Sequence, residues 1–110
     1  MPLSKKIASN WLLTAEGWVE NPLLVETSEG WRMEGSRPTP DREPFTRFAA
    51  GVVTQVQCTP DELQALMQDH TTPIDRLLAP YLNPEGRWLH IAGLDYTTRC
   101  FTPQSRADYL

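Results

Sequence analysis

The alternation of apolar and polar positions is clearest in the stretch between Phe45 and His70. Its first half, FTRFAAGVVTQVQC, has an apolar residue at every second position, interrupted only by Thr54. This period is typical of a strand with one buried face. The alternating apolar residues are Phe48, Ala50, Val52, Val56 and Cys58.

The second half of this stretch, TPDELQALMQDH, predicts an amphipathic helix with a defined start. Thr59 is its N-cap, Pro60 takes the first helical position, and Glu62 completes a capping box. Thr72-Pro73 opens a second predicted helix in the same way. The apolar stripe of this second helix is formed by Ile74, Leu77, Leu78 and Tyr81.

The N-terminal third of the chain predicts a three-stranded meander. Strands are expected over residues 5–14 and 18–27 and from Trp31 to Glu34, joined by two turns that share the sequence Glu-Gly-Trp. In the first strand, Ile7, Trp11 and Leu13 are expected on one face. Asn21-Pro22 interrupts the second strand, which is therefore expected to be bent or to lie at a sheet edge.

Combined, these elements follow the order β-β-β-β-α-α-β. We expect an α+β fold with a mostly antiparallel five-stranded sheet and two helices packed on one face. The length of 110 residues favours a single domain. Its expected parts are a meander (5–34), a proline-rich loop (35–44), a strand-helix-helix-strand unit (45–101) and a polar tail (102–110), with the last strand over residues 87–101.

The charge and hydropathy of the chain restrict its partners and compartment. The net charge of −4 is unfavourable for binding to phosphate backbones or anionic lipid, so neither nucleic acid nor membrane is an expected partner. No apolar run approaches the roughly 20 residues that span a bilayer. The N-terminus lacks the long apolar centre of a signal peptide. These features predict a soluble, cytoplasmic protein.

The sequence contains no recognisable catalytic or phosphate-binding motif. Cys58, His70, His90 and Cys100 follow no known zinc-ligand spacing, so neither a metal nor a cofactor is predicted. The two cysteines are expected to be free thiols. His70 is interpreted as a partner of the helix dipole and His90 as a structural residue, although His90 could face a cleft with Asp95.

Four tryptophans in 110 residues are the least ordinary feature of the composition. Trp18, Trp31 and Trp88 are candidate binding residues, because tryptophan and arginine dominate interface hot spots. Arg37 and Arg42, in the proline-rich loop, are candidates for the same reason. These residues favour a non-catalytic protein–protein interaction module or accessory subunit, with a homodimer as one form of it.

An alternative function is a small ligand-binding domain or small enzyme. Its pocket would lie between the sheet and the helices near His90, with Asp95, Tyr96 and Arg99 as polar lining and Trp88 as a wall. A sugar would suit the combination of acidic residues and tryptophans.

The sequence of the first two predicted strands also resembles part of a known protein family. A strand ending in Thr-Ala-Glu-Gly-Trp (residues 14–18), followed by Leu-Leu-Val-Glu (residues 23–26), resembles the small N-terminal β-module of amidohydrolases. The resemblance covers less than a third of the chain. The His-x-His metal motif that these enzymes place next is absent, so it assigns no role to any residue.

Overall fold

The computed structural model describes residues 5–36 and 46–110, with the side chain of Ser36 excepted. Most of the predicted proline-rich loop, including Arg37 and Arg42, lies outside these residues. The described strands are β1 (Lys6–Thr14), β2 (Gly17–Glu20), β3 (Pro22–Thr27), β4 (Gly30–Ser36), β5 (Thr46–Val56), β6 (Arg87–Ala92) and β7 (Arg106–Tyr109). The helices are α1 (Pro60–Met67), α2 (Ile74–Leu78) and a 3₁₀ turn (Ala79–Tyr81).

All seven described strands belong to one mixed sheet, in the order β4-β3-β1-β5-β6-β7, with β2 also paired to β1. β1 and β5 run parallel at its centre, and the other pairs are antiparallel. The prediction of a five-stranded, mostly antiparallel sheet is therefore wrong. The central parallel pair joins segments some forty residues apart, a contact that no local pattern records.

Three strand boundaries account for the additional strands. Asn21 adopts a left-handed conformation (φ 50°) and divides the predicted strand 18–27 into β2 and β3, which both pair with β1. The predicted strand 87–101 ends at Ala92, because Gly93 turns the chain with φ 77°. The segment expected to be a polar tail contains β7, which pairs with β6.

An irregularity at Asn10 changes the faces of β1. The register between β1 and β5 shifts between Ser9 and Trp11. The Asn10 side-chain oxygen accepts a hydrogen bond from the Gly51 N–H at 2.9 Å. Two residues of β5, Ala50 and Gly51, therefore oppose Asn10 alone. At this irregularity Ile7 and Trp11 come to lie on opposite faces, whereas strict alternation placed them on the same one.

Each face of the sheet has its own core. We call the face under α1 and α2 the helix face and the opposite one the open face. Buried residues of the helix face are Leu13, Val52, Val56, Leu63, Ile74, Leu78, Leu89, Ile91, Leu94 and Phe101. Those of the open face are Ile7, Leu12, Leu24, Ala49, Val53 and Trp88. Having two cores explains why β1 and β5 are apolar on both sides.

The start of α1 confirms the predicted capping box. The Thr59 hydroxyl accepts the N–H of Glu62 at 3.1 Å, and the Glu62 carboxylate accepts the N–H of Thr59 at 2.9 Å. Within the described residues, neither helix has the length and apolar character needed to cross a bilayer.

Candidate functional site

A cluster of two indoles and one guanidinium lies on the helix face beside β2. The rings of Trp11 and Trp18 meet edge to face, with centroids 6.0 Å apart and an angle of 79° between planes. The Arg99 guanidinium carbon lies 5.2 Å from the Trp11 centroid and 4.6 Å from that of Trp18. All three side chains are half-buried. We call this cluster the aromatic–arginine surface.

The hairpin between β1 and β2 brings the two indoles together. Leu13 is opposite Trp18 and Trp11 is opposite Glu20, so the two tryptophans are diagonal neighbours on one face. Gly17 closes the turn with φ 128°. The Thr14 hydroxyl supports it by donating to the Gly17 carbonyl at 2.9 Å. Trp18 was predicted as a site residue, whereas Trp11 was not.

A structured turn holds Arg99 over the rings. The Arg99 N–H donates to the Asp95 carbonyl, and the Arg99 carbonyl accepts the N–H of Ile74 at 2.8 Å. Arg99 itself has φ 60°, a conformation that is costly for a non-glycine residue. Among the described residues, no hydrogen-bond acceptor is found for its guanidinium.

His90 and Asp95, two candidate lining residues, have separate hydrogen-bond partners in the structure. The Asp95 carboxylate accepts the N–H groups of Thr97 and Thr98 and so shapes the turn before Arg99. His90 Nε2 lies 2.7 Å from the Ala50 carbonyl oxygen, which can only accept, so Nε2 carries a proton. The cross-strand neighbour of His90 is Asp108 in β7. Both Asp95 and His90 thus have structural partners.

The other predicted aromatic residues occupy two different places. Tyr96 is the most exposed large apolar side chain described, at 52%. Trp88 is buried on the open face, and its indole nitrogen donates to the Trp31 carbonyl at 2.7 Å. Trp31 is half-buried at the same place.

Trp31 and Trp88 are walls of a cleft of about 350 Å³. The cleft opens at the C-terminal ends of the parallel strands β1 and β5, and His90 is not part of its lining. Apolar side chains dominate its walls, and Met33 at its entrance is 36% exposed. Several polar groups of the wall already have partners in the protein: Gln55 donates to the Pro84 and Gly86 carbonyls, and Asn83 donates to the Gln57 side chain.

Both cysteines are free thiols, and they differ in burial. Cys100 is buried and Cys58 is half-buried, and both are free. Partial burial, helped by the Glu62 carboxylate, raises the pKa of the Cys58 thiol, which disfavours the nucleophilic thiolate. Within residues 5–36 and 46–110, no three His, Cys, Asp or Glu side chains are grouped so as to hold a metal ion.

No protein-family model, curated protein or solved structure matches this chain. A functional assignment therefore has to come from the geometry of its own surfaces.

Proposed function

We propose that this chain is a non-catalytic protein-interaction domain that contacts a partner protein through the aromatic–arginine surface. The observation that supports this proposal most strongly is the position of the Arg99 guanidinium. It lies against both indoles and has no hydrogen-bond acceptor among the described residues. Tryptophan and arginine are the residues most enriched among interface hot spots. A guanidinium held against two rings is also pre-oriented, so less side-chain entropy is lost when it binds.

The chemistry of this surface favours an acidic partner segment. A planar guanidinium binds a carboxylate through two parallel N–H···O bonds. The half-buried indoles beside it favour an apolar side chain next to that carboxylate. We infer a partner that presents an Asp or Glu adjacent to an aromatic or aliphatic residue.

A library of random 12-residue peptides displayed on phage tests this proposal. Selection against the wild-type domain should enrich peptides in which a carboxylate neighbours an apolar residue. Arg99→Ala should weaken their binding at least tenfold, whereas Arg32→Ala, at an exposed arginine of β4, should leave it unchanged. If no enriched peptide loses affinity for Arg99→Ala, or if selection enriches nothing, the proposal fails.

Sedimentation velocity at several protein concentrations tests whether the partner is a second copy. If the wild type forms a dimer and Arg99→Ala dissociates it, the two copies associate through the aromatic–arginine surface. A monomer at all concentrations would restrict the proposal to a different partner protein.

A second candidate function follows from the cleft beside Trp31. Its volume of about 350 Å³ lies within the usual range for small-molecule sites. Two indoles and the internally bonded amides around it favour a flat, mostly apolar ligand. Indole and naphthalene are suitable probes. Saturable chemical-shift changes at the Trp31 and Trp88 indole N–H groups that Met33→Trp abolishes would support this function, and changes that never saturate would contradict it.

A further inference from the structure

Strand β7 and helix α1 run side by side at one border of the sheet. The Tyr109 hydroxyl, at the end of β7, donates to the Cys58 carbonyl just before α1, at 3.4 Å. His70, just after α1, lies across a groove from residues 102–105, just before β7. The helix, with 8 residues, and the strand, with 4, are each about 12–14 Å long. They run in opposite directions, and the C-terminal part of α1 and residues 105–108 flank one groove.

The outer edge of β7 presents main-chain groups to this groove. The Leu110 N–H donates to the Trp88 carbonyl, which makes that pair a hydrogen-bonded one. Because bonded and non-bonded pairs alternate, His90–Asp108 and Ala92–Arg106 are also bonded pairs. The N–H and C=O groups of Ala107 and Tyr109 then point away from β6. Among residues 5–36 and 46–110, no hydrogen bond to these four groups is found.

The groove has the form and lining of a site for an extended peptide. Its volume is about 580 Å³. Leu63 and Met67 of α1 form its apolar wall, and Gln64 and Gln68 form its rim. On the strand side, Ala107 lines the groove, and its small side chain leaves the groove open. Edge strands beside a helix are a common setting for strand addition.

We propose that this groove binds an extended segment of a partner protein, which adds one strand to β7. The main chain of the segment would bond to Ala107 and Tyr109. Every second side chain would lie between Ala107 and the Leu63–Met67 wall. The segment is therefore expected to carry apolar residues at alternate positions.

A single strand fits this edge better than a second copy of the chain. Antiparallel pairing of two β7 edges requires a two-fold axis perpendicular to the sheet, which keeps both α1 helices on one face. Such a pairing would involve only the 4 residues of each β7 edge, which is far less than the roughly 1,200 Å² that a stable interface buries. An extended peptide would combine the same main-chain bonds with contacts to the groove lining.

The groove is separate from the aromatic–arginine surface. The path from β2 to β7 crosses β1, β5 and β6, which is about 19 Å at the usual strand spacing. Both surfaces are proposed to bind a protein partner, but binding at one does not depend on the residues of the other.

The test uses peptides selected from the phage library and a proline substitution. Ala107→Pro removes only an outward N–H, so pairing with β6 should persist. Ala107→Ser keeps that N–H and is the matched control. Peptides that bind in the groove should bind Ala107→Pro at least tenfold more weakly than they bind the wild type. The same peptides should bind Ala107→Ser and Arg99→Ala within twofold of the wild type.

Hydrogen exchange on the wild-type protein gives a second readout that needs no variant. Saturating peptide should slow exchange of the Ala107 and Tyr109 amides at least tenfold, with little change at Asp108, which is already bonded. The proposal is overturned if no selected peptide slows these two amides, or if every peptide binds Ala107→Pro as well as Ala107→Ser. Peptides sensitive only to Arg99→Ala would overturn it while supporting the proposed function.

Discussion

The indole nitrogen of Trp88 donates a hydrogen bond to the main-chain carbonyl of Trp31 at 2.7 Å, across 57 positions of sequence. Trp88 lies in β6 and Trp31 in β4, and the strands β3, β1 and β5 stand between them in the sheet. A flat sheet could not make this contact. The sheet is therefore curled around its open face, and this bond joins its two sides.

Replacement of Trp88 by phenylalanine should lower the free energy of unfolding by about 2 kcal/mol. The substitution removes the donor, leaves the Trp31 carbonyl without its partner and reduces the apolar area buried on the open face. Urea unfolding followed by circular dichroism measures the change. Trp31→Phe is the matched control, because the main-chain carbonyl remains and its cost should be smaller. Equal effects of the two substitutions would show that the bond contributes nothing.

Gly51 marks a point where β5 and β6 approach too closely for a side chain. It has φ 116°, and an added Cβ would overlap the carbonyl oxygen of Ile91. Gly51→Ala should cost at least about 3 kcal/mol, the sum of backbone strain and overpacking. Gly30→Ala has a similar φ of 111° but open space around it, so strain alone, about 1–2 kcal/mol, should remain. Thermal unfolding of both variants checks the order, and a smaller effect at Gly51 would contradict it.

The N-cap of α1 should make a measurable contribution to stability. Thr59→Ala removes the hydroxyl that accepts the Glu62 N–H, and loss of such a cap typically costs about 1 kcal/mol. Thr59→Ser keeps the hydroxyl and should retain most of the stability. Urea midpoints of the two variants separate these cases. Indistinguishable midpoints would mean that solvent replaces the cap at no cost.

Local signals in the sequence predicted the elements that depend on neighbouring residues. The capping box at Thr59, the strand before it and the turn at Gly17 all follow from side chains within a few positions of each other. The pairing of β1 with β5 does not, because hydrophobic alternation gives the faces of a strand but not its neighbour. β7 was missed because its sequence, RADY, has only two apolar positions.

The candidate site was predictable to the extent that it depends on a hairpin. Trp18 was predicted as a binding residue because tryptophan is enriched at interface hot spots. The register of the tight turn at Gly17 could also have placed Trp11 beside it. Arg99 belongs to a turn some eighty residues later in the chain, and no periodicity connects it to the rings. The Trp31–Trp88 contact was not predictable for the same reason.

The Asp69 carboxylate gives the fold a pH dependence at the end of α1. It accepts the N–H groups of Thr71 and Thr72 and the Thr71 hydroxyl, at 2.9–3.0 Å. These bonds hold the pKa of Asp69 well below its usual range, the Thr71 N–H being the largest cause. Because the folded state prefers the ionised form, the stabilisation is complete above the unfolded pKa of about 3.9 and is lost as the pH falls below it.

Asp69→Ala should therefore lower the melting temperature by a constant amount between pH 5 and pH 7. The difference from the wild type should shrink as the pH falls from about 4 towards 2, because the Asp69 carboxyl then becomes protonated in the unfolded wild-type chain, which stabilises the unfolded state. Thermal unfolding across this range measures both chains. Glu29→Ala, at an exposed carboxylate of the β3–β4 turn, is the control and should leave the melting temperature nearly unchanged. A difference at Asp69 that stays constant down to pH 2 would show that its ionisation is not linked to folding.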